Sequence, residues 1–189
     1  LSIVIYNLLR LERTPQAEAN ATAATGLGDK HWTRAMALSH PLFWLMVPGI
    51  VFFSAFGTAF WFHQVHFAEI KGFAHLLLVA VFPLGTIALA ISTIIYGWAI
   101  DRFGVVRLMP LYILPYVAAF VIHWYAPNLI WTAVAVVLMG IAGGGNGTIL
   151  SACWATFYGT RFIGSIKSAA AALMVLGSAI GPGLSGYLI

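Results

Sequence analysis

The sequence predicts an all-α membrane protein, and its composition and the distribution of its charged residues both support that prediction. Of its 189 residues, 61% are hydrophobic and 7% are charged, whereas about a quarter of the residues in a typical soluble domain are charged. The apolar residues form runs of about 20 residues, the length that a helix needs to cross a bilayer. The net charge of +4 resides in short segments between these runs. We therefore expect no nucleic-acid partner, because the basic residues do not form one soluble face.

Five apolar runs predict five complete transmembrane helices in a bundle over residues 41–189. The runs cover residues 41–62, 74–100, 108–125, 129–156 and 168–189. Pro41 suits the first turn of the first helix, where the missing backbone N–H costs nothing. Pro83 and Gly85 predict a kink in the second helix.

The two ends of the chain predict that it is a fragment of a longer protein. Residues 1–9 are apolar but too short to cross a bilayer alone, which takes about 20 residues, so we interpret them as the tail of a preceding transmembrane helix. The chain does not begin with Met, and it ends inside an apolar run. A signal peptide is the alternative, but no basic segment precedes the apolar stretch.

A hydrophilic segment separates this tail from the bundle. Residues 10–34 hold seven charged residues among Ala, Thr and Gly, with no apolar periodicity. Such a composition predicts a linker that is flexible in its middle. We place the central linker at residues 10–40.

A short charged loop joins the second and third runs, and its residue types have physical reasons. It reads G-x-x-x-D-R-x-G-x-x-R, with Gly97, Asp101, Arg102, Gly104 and Arg107 at the named positions. The first glycine lets a neighbouring helix approach, and the second permits a backbone reversal at positive φ. An aspartate at a helix C-terminus is disfavoured by the helix dipole, so it should find a positive partner. The alternative is an ordinary turn with basic residues.

Glycines in the last two runs predict close helix packing. The fourth run has five glycines within residues 140–147, and small residues four apart let helix backbones touch in a membrane. In the fifth run, a proline among glycines predicts a kinked helix seated against a partner. The predicted packing positions are Gly140, Gly143, Gly144, Gly147, Gly177, Gly181 and Pro182.

Polar and aromatic residues within the runs are candidates for contact with a substrate. Asn146 is the strongest hydrogen-bonding side chain at depth and needs a partner there. That partner is either a substrate or another helix, and the sequence does not favour one. The candidate substrate-facing residues are Trp61, Gln64, Asn146, Thr148 and Trp154.

The histidines offer a weaker hypothesis, a metal site. His63 and His66 are three residues apart and Glu69 follows them, so all three could share a helix face and bind a metal. A fourth ligand is missing from this pattern. We therefore predict interfacial histidines and no metal or cofactor, and we expect the same interfacial placement for His75 and His123 near the ends of their helices.

Two of these patterns resemble a known family. The loop at residues 97–107, hereafter the signature loop, resembles the signature that the major facilitator superfamily carries between helices two and three and between helices eight and nine. The pattern G-x-x-x-G-P-x-x-x-G at residues 177–186 resembles the eleventh helix of that family. Residues 61–64 resemble the seventh helix of monocarboxylate and oxalate–formate carriers. By this resemblance, the chain corresponds to the tail of helix six, the central linker and helices seven to eleven of a twelve-helix fold. Helix twelve of that fold has no counterpart in the chain.

The resemblance implies a secondary active transporter rather than an enzyme. Such a protein moves a small solute by alternating access between two helical bundles, and we prefer a small organic anion as its substrate. Its partners would be membrane lipid and the N-terminal half of the same transporter. The resemblance makes the five named residues of the signature loop a conformational switch, although Val105 and Val106 stand where the family often has basic residues. The alternative function is a membrane-embedded metal-dependent enzyme that uses the histidines.

The basic residues predict the orientation in the membrane. Eight of the nine Lys and Arg residues fall on the side of the linker, the signature loop and the turn at Arg161, and Lys71 falls on the other. Cytoplasmic loops carry the excess of positive residues. We therefore predict a multi-pass protein of the plasma or bacterial inner membrane, with the linker and the signature loop in the cytoplasm.

Overall fold

The computed structural model describes residues 22–188, and every regular element in that range is a helix. The predicted helix tail at residues 1–9 and the first part of the linker lie outside the described residues. A 3₁₀ turn at Leu27–Asp29 precedes the α-helices. These are α1 (Arg34–Ser39), α2 (Pro41–Ile70), α3 (His75–Ala80), α4 (Phe82–Phe103), α5 (Val105–Leu108), α6 (Leu114–Tyr125), α7 (Leu129–Tyr158) and α8 (Ile163–Leu188).

Four segments are long and apolar enough to cross a membrane, which confirms the predicted class of fold. They are Pro41–Ile70, His75–Phe103, Leu129–Tyr158 and Ile163–Tyr187. All four extend beyond their predicted bounds, α2 and α8 by the most residues. Helix α2 continues through the histidine segment, and α8 begins five residues before residue 168. Lys167 therefore belongs to a helix and not to the turn before it.

The third predicted span is a broken helix. It consists of the four-residue α5, a series of turns, and the 12-residue α6. Pro110 and Pro115 lack the N–H that a continuous helix needs. Tighter backbone bonds cross the break, from Leu111 N–H to the Leu108 carbonyl at 3.0 Å and from Leu114 N–H to the Leu111 carbonyl at 3.2 Å.

The second span is interrupted near its start, where the sequence predicts a kink. Helix α3 ends at Ala80, and α4 begins at Phe82 with a proline in its first turn. The ring of Pro83 would collide with the carbonyl of residue 79 in an unbroken helix. The break therefore places the proline at a helix start, where it is tolerated.

Glycines bring α4 and α7 into backbone contact. A Cβ atom on Gly140 would collide with the carbonyl of Gly85 on α4. A Cβ atom on Gly144 would lie 2.8 Å from the backbone nitrogen of Thr93 and 2.9 Å from the carbonyl oxygen of Leu89. No residue larger than glycine fits at either position without separating the two helices.

Helices α2 and α8 form a second close pair. A Cβ atom on Gly177 would lie 2.9 Å from the carbonyl oxygen of Val51, and one on Gly181 would collide with the backbone of Ala55. Pro182 lies inside α8. The Ser54 hydroxyl adds a hydrogen bond of 2.8 Å to the Met174 carbonyl.

The buried core lies at the end of the bundle that holds the signature loop. Buried side chains from α2, α5, α7 and α8 meet there, among them Phe43, Val105 and Ile166. Trp154 and Tyr158 stack with their ring centres 5.9 Å apart. This cluster holds the start of α2 against the end of α7.

The described part of the linker packs on the turn between α7 and α8. The backbone N–H of Ala24 donates to the Thr160 hydroxyl at 2.9 Å, and the Thr160 N–H donates to the Ala24 carbonyl at 2.9 Å. Gly26 lies against Phe157, where a Cβ atom would be 2.5 Å from the carbonyl oxygen. Glycine and backbone hydrogen bonds make this contact, so it does not need apolar side chains.

Candidate functional site

We use the term groove for the surface between α2 and α7 that carries two pockets. Ile50, Phe53, Gly57 and Trp61 recur at three or four residues along α2, so they share one face. Residues 139, 143, 147, 151 and 154 do the same along α7. Two pockets lie along these faces, and both are lined by residues of α2 and α7. We call them the aromatic pocket and the lysine pocket.

The aromatic pocket has a volume of about 250 Å³ and is almost wholly apolar in its lining. Trp61 lies in its wall with its ring 4.8 Å from that of Phe82. Tyr116 is fixed in another wall, because its hydroxyl donates to the Phe53 carbonyl at 2.8 Å and its ring stacks on the Phe53 ring. The pocket therefore suits an apolar or aromatic group.

The lysine pocket, of about 190 Å³, lies between α2, α7 and α8. Its polar side chains are Asn146 and Ser151 on α7 and Lys167 on α8. The Lys167 ammonium donates to the Ser151 hydroxyl at 2.6 Å. The Asn146 Oδ1 atom is buried and has no hydrogen-bond partner within residues 22–188. The pocket thus offers one positive charge and one unsatisfied amide.

The Lys167 side chain is directed toward the interior of the bundle. Ser151 lies seven residues before the end of α7, which is roughly 10 Å along the helix axis. Lys167 lies four residues after the start of α8, roughly 6 Å along its axis. Lysines near helix ends usually extend outward to water. Because α7 and α8 are antiparallel neighbours, the bond to Ser151 draws this ammonium inward instead.

Within the described chain, no carboxylate pairs with Lys167. The sequence has no Asp or Glu after Asp101. The hydrogen bond to Ser151 is the only polar contact that fixes the ammonium among these residues. A lysine in this setting retains two N–H donors for another group.

The five predicted substrate-facing residues do not form one site. Asn146 and Trp154 line the lysine pocket, whereas Trp61 lines the aromatic pocket. Thr148 bonds back to the Gly144 carbonyl at 2.9 Å. Gln64 lies beyond both pockets on α2, with its Oε1 atom buried and without a partner in the part of the chain that the structure describes.

Sequence reasoning missed Lys167 and Ser151. It assigned Lys167 to a cytoplasmic turn, because the last span was expected to begin at residue 168. The signal that could have found it is the helical spacing from Lys167 to Ala170, Ala171 and Met174, which continues one pocket-lining face of α8. A prediction from hydropathy alone ends the helix at a charged residue, and it therefore assigned Lys167 to the turn.

The predicted switch residues are exposed at one end of the bundle. Gly104 ends α4 with a φ of 79°, the left-handed region that favours glycine. The side chains of Asp101, Arg102 and Arg107 are exposed, and residues 22–188 contain no ion pair that involves them. A Cβ atom on Gly97 would meet open space. No residue in the described chain therefore forms an ion pair with the charged side chains of the signature loop.

His63, His66 and His123 line one cavity, but they are not placed to share a metal ion. The His63 Nε2 atom lies 3.2 Å from the Pro182 carbonyl oxygen, and Glu69 is exposed. No group of three or more His, Cys, Asp or Glu residues in the described chain is placed to hold a metal ion.

His123 is buried within the bundle near the end of α6, and its predicted position at the membrane interface stays a prediction. It is 4% exposed, and its Nδ1 atom lies 3.0 Å from the Ala119 carbonyl oxygen. The Phe60 ring packs 4.8 Å away and the Phe67 ring 5.1 Å away. Helix α2 is longer than expected, so it brings these aromatic rings over the end of α6. His75 is exposed at the start of α3.

Comparisons with known proteins give two similar relatives. The chain is 33% identical over 103 residues to the Multidrug resistance protein B homolog of Mycobacterium tuberculosis strain CDC 1551 / Oshkosh, a match that covers 53% of this chain and 19% of that protein. The protein of the same description from strain ATCC 25618 / H37Rv matches with the same identity and coverage. The match thus spans about a fifth of the length of these relatives. No solved structure matches the chain significantly.

A family model matches the chain over its whole length. The model describes the Major Facilitator Superfamily, and the match covers residues 1–189. The match includes the signature loop and both close helix pairs. On this finding, the chain belongs to the Major Facilitator Superfamily.

Proposed function

We propose that this chain is part of a secondary active transporter that moves a small organic anion across the membrane by alternating access. Membership of the Major Facilitator Superfamily is the observation that carries the proposal, and it points to a membrane transporter rather than an enzyme. In this family, two helical bundles rock around a site near the bilayer midplane. The bundle over residues 41–188 would be one of the two.

The groove between α2 and α7 supports a solute path. Polar side chains at membrane depth are costly, so they usually face a cavity and mark a substrate route. Asn146 lies near the middle of the 30-residue α7, and the walls beside it are aromatic or aliphatic. Lys167 supplies the positive charge that an anion needs. One bundle provides one wall, and we propose that the N-terminal half of the same transporter provides the other.

Uptake by the full-length protein in liposomes tests the proposal. We expect accumulation of labelled phenylacetate, an aromatic carboxylate, and faster uptake when unlabelled phenylacetate is loaded inside, because alternating access exchanges solute across the membrane. Protein-free liposomes and the cation 2-phenylethylamine are the controls. Transport of the amine alone would contradict an anion carrier. No transport of phenylacetate, oxalate or lactate would contradict the proposed solute class.

We also propose that the linker and the signature loop face the cytoplasm, because eight of the nine basic residues lie on that side. The structure places Lys71 at the other end of α2 from the linker, where its ammonium donates to the Trp124 carbonyl at 2.8 Å.

Labelling of single cysteines tests this orientation. Glu69→Cys and Val106→Cys would be made in a Cys153→Ser background, since both positions are exposed and Val105 is buried. An impermeant thiol reagent added to intact cells should label the first and not the second. Permeabilised cells, in which both should react, are the control. Labelling at residue 106 alone would reverse the proposed orientation.

A further inference from the structure

We infer that Lys167 and Asn146 bind the carboxylate of an amphiphilic organic acid, and that the apolar part of this acid lies along the groove toward the aromatic pocket. The inference rests on the proposed function and deepens it, since it assigns the charged end of the substrate to named residues. The lysine pocket and the aromatic pocket are about one helical turn apart on α7, because one ends at Gly143 and the other begins at Asn146.

The position of Lys167 favours ligand binding over a purely structural role. Its ammonium donates to the Ser151 hydroxyl at 2.6 Å, whereas lysines near helix ends usually extend outward to water. Lys167 is half-buried in a pocket of this bundle, and buried charges normally have a partner of opposite sign. No carboxylate in the described chain supplies one, so an anionic ligand would satisfy the two remaining N–H donors.

Asn146 is the second polar contact. Its side chain makes no hydrogen bond within the described residues, and its Oδ1 atom is buried. The buried Oδ1 atom is an acceptor, so a carboxylate cannot bond to it, and this contact must come from the amide nitrogen. The amide nitrogen can donate to a carboxylate oxygen, whereas the Lys167 ammonium carries the charge.

The apolar residues of the two pockets indicate the chemistry of the uncharged part of the ligand. Ile50, Ala170 and Met174 line the lysine pocket with apolar surface, and Gly147 leaves open space where a side chain would stand. Trp61 and Phe53 continue the apolar surface beyond it. An acid with an aromatic body therefore matches both the charge of Lys167 and the apolar walls beside it, which include Trp154.

Binding of phenylacetate to the purified full-length protein tests the inference. We would measure ligand-dependent thermal stabilisation with phenylacetate, the neutral 2-phenylacetamide and the cation 2-phenylethylamine. The wild type should be stabilised by the acid only. Lys167→Gln should weaken phenylacetate binding roughly tenfold or more, since it removes a hydrogen bond to a charged group. Lys167→Arg should retain most of the affinity.

Two controls separate this role from others. Arg161→Gln removes an exposed positive charge at the same end of the bundle, outside the pocket, and should leave the affinity unchanged. Phosphatidylglycerol would be added in place of the acid. Lys167-dependent stabilisation by this lipid but not by phenylacetate would assign the pocket to lipid and overturn the inference.

Uptake of phenylacetate distinguishes failure of the inference from failure of the proposed function. If the wild type transports phenylacetate and Lys167→Gln does so with the same KM, the transporter stands and the inference is wrong. If the wild type binds the acid through Lys167 without transporting it, the site stands and the transport proposal is wrong. Lost transport with unchanged binding in Lys167→Gln would place this lysine in contact with the rest of the transporter and would also overturn the inference. A wild type that does not bind phenylacetate overturns it as well.

Discussion

Helix α7 has two faces that differ in how they are packed. The face toward α4 carries Gly140 and Gly144, which touch the backbone of Gly85 and Thr93 with no room for a methyl group. The face toward α2 and α8 carries Asn146, Gly147 and Ser151, and it lines the lysine pocket. One face is closed within this chain, and the other is left open.

The difference shows that glycine has two uses in one helix. On the closed face its absent side chain allows backbones to touch, and the contact gains dispersion energy over the length of the interface. On the open face Gly147 leaves space that no neighbour in the described chain fills. Under the proposed alternating access, the closed pair would move as one unit, whereas the open face would meet the solute and the proposed second half of the transporter.

The strongest test of this comparison is a bulky residue on each face. Gly144→Leu should lower the melting temperature of the full-length protein by several degrees, because its Cβ atom would lie 2.8 Å from the Thr93 nitrogen. Overpacking of this kind costs roughly 1–3 kcal/mol. Gly147→Leu is the matched control, three residues along the same helix, and it should leave the melting temperature nearly unchanged. Equal destabilisation by both would show that the two faces are packed alike.

Hydropathy and spacing predict much of this architecture. The apolar runs predict the long helices, since a bilayer requires uninterrupted backbone hydrogen bonds over a fixed length. Helix α7 is found at Leu129–Tyr158, two residues beyond the predicted end. The family resemblance, which rests on the signature loop and residues 177–186, is confirmed by the match over residues 1–189.

The remaining features depend on contacts between distant segments, which a single sequence does not reveal. Pro110 and Pro115 are visible in the sequence, but an apolar run that contains them still reads as one span, so the break between α5 and α6 was not predicted. The hydrogen bond from Lys167 to Ser151 joins two helices across a turn, and burial of His123 requires the rings of α2. Packing of Gly26 on the α7–α8 turn likewise needs both segments in place.

A second test removes the unsatisfied amide on the open face. Asn146→Leu should leave the melting temperature unchanged or raise it slightly, because the wild-type Oδ1 atom is buried without a partner. The same change should weaken phenylacetate binding several-fold. Asn146→Asp, which places a negative charge in the pocket, should weaken it further by repulsion of the carboxylate. A clear fall in melting temperature for Asn146→Leu would show that the amide holds helices together, and the open face would then be closed in the complete transporter.

The last test extends the comparison to the end of α4, where Asp101 has no ion-pair partner among the described residues. This exposed carboxylate lies in the last turn of the helix, where the dipole disfavours it. Its removal should therefore cost little stability within this bundle, and its function should come from contact with the other half of the transporter. Asp101→Asn should reduce transport of phenylacetate while membrane abundance stays normal.

Asp29→Asn is the matched control for this last change, because the Asp29 carboxylate lies at the same end of the bundle and accepts a 2.6 Å hydrogen bond from Thr25 within the linker. It should leave transport intact. Normal transport by Asp101→Asn at normal abundance would remove Asp101 from the proposed switch. Loss of the protein from the membrane would instead show that Asp101 supports folding, and the signature loop would then belong with the closed regions of the molecule. Reduced transport at full abundance would instead group the signature loop with the open face of α7. Both would then depend on contacts with residues outside this chain.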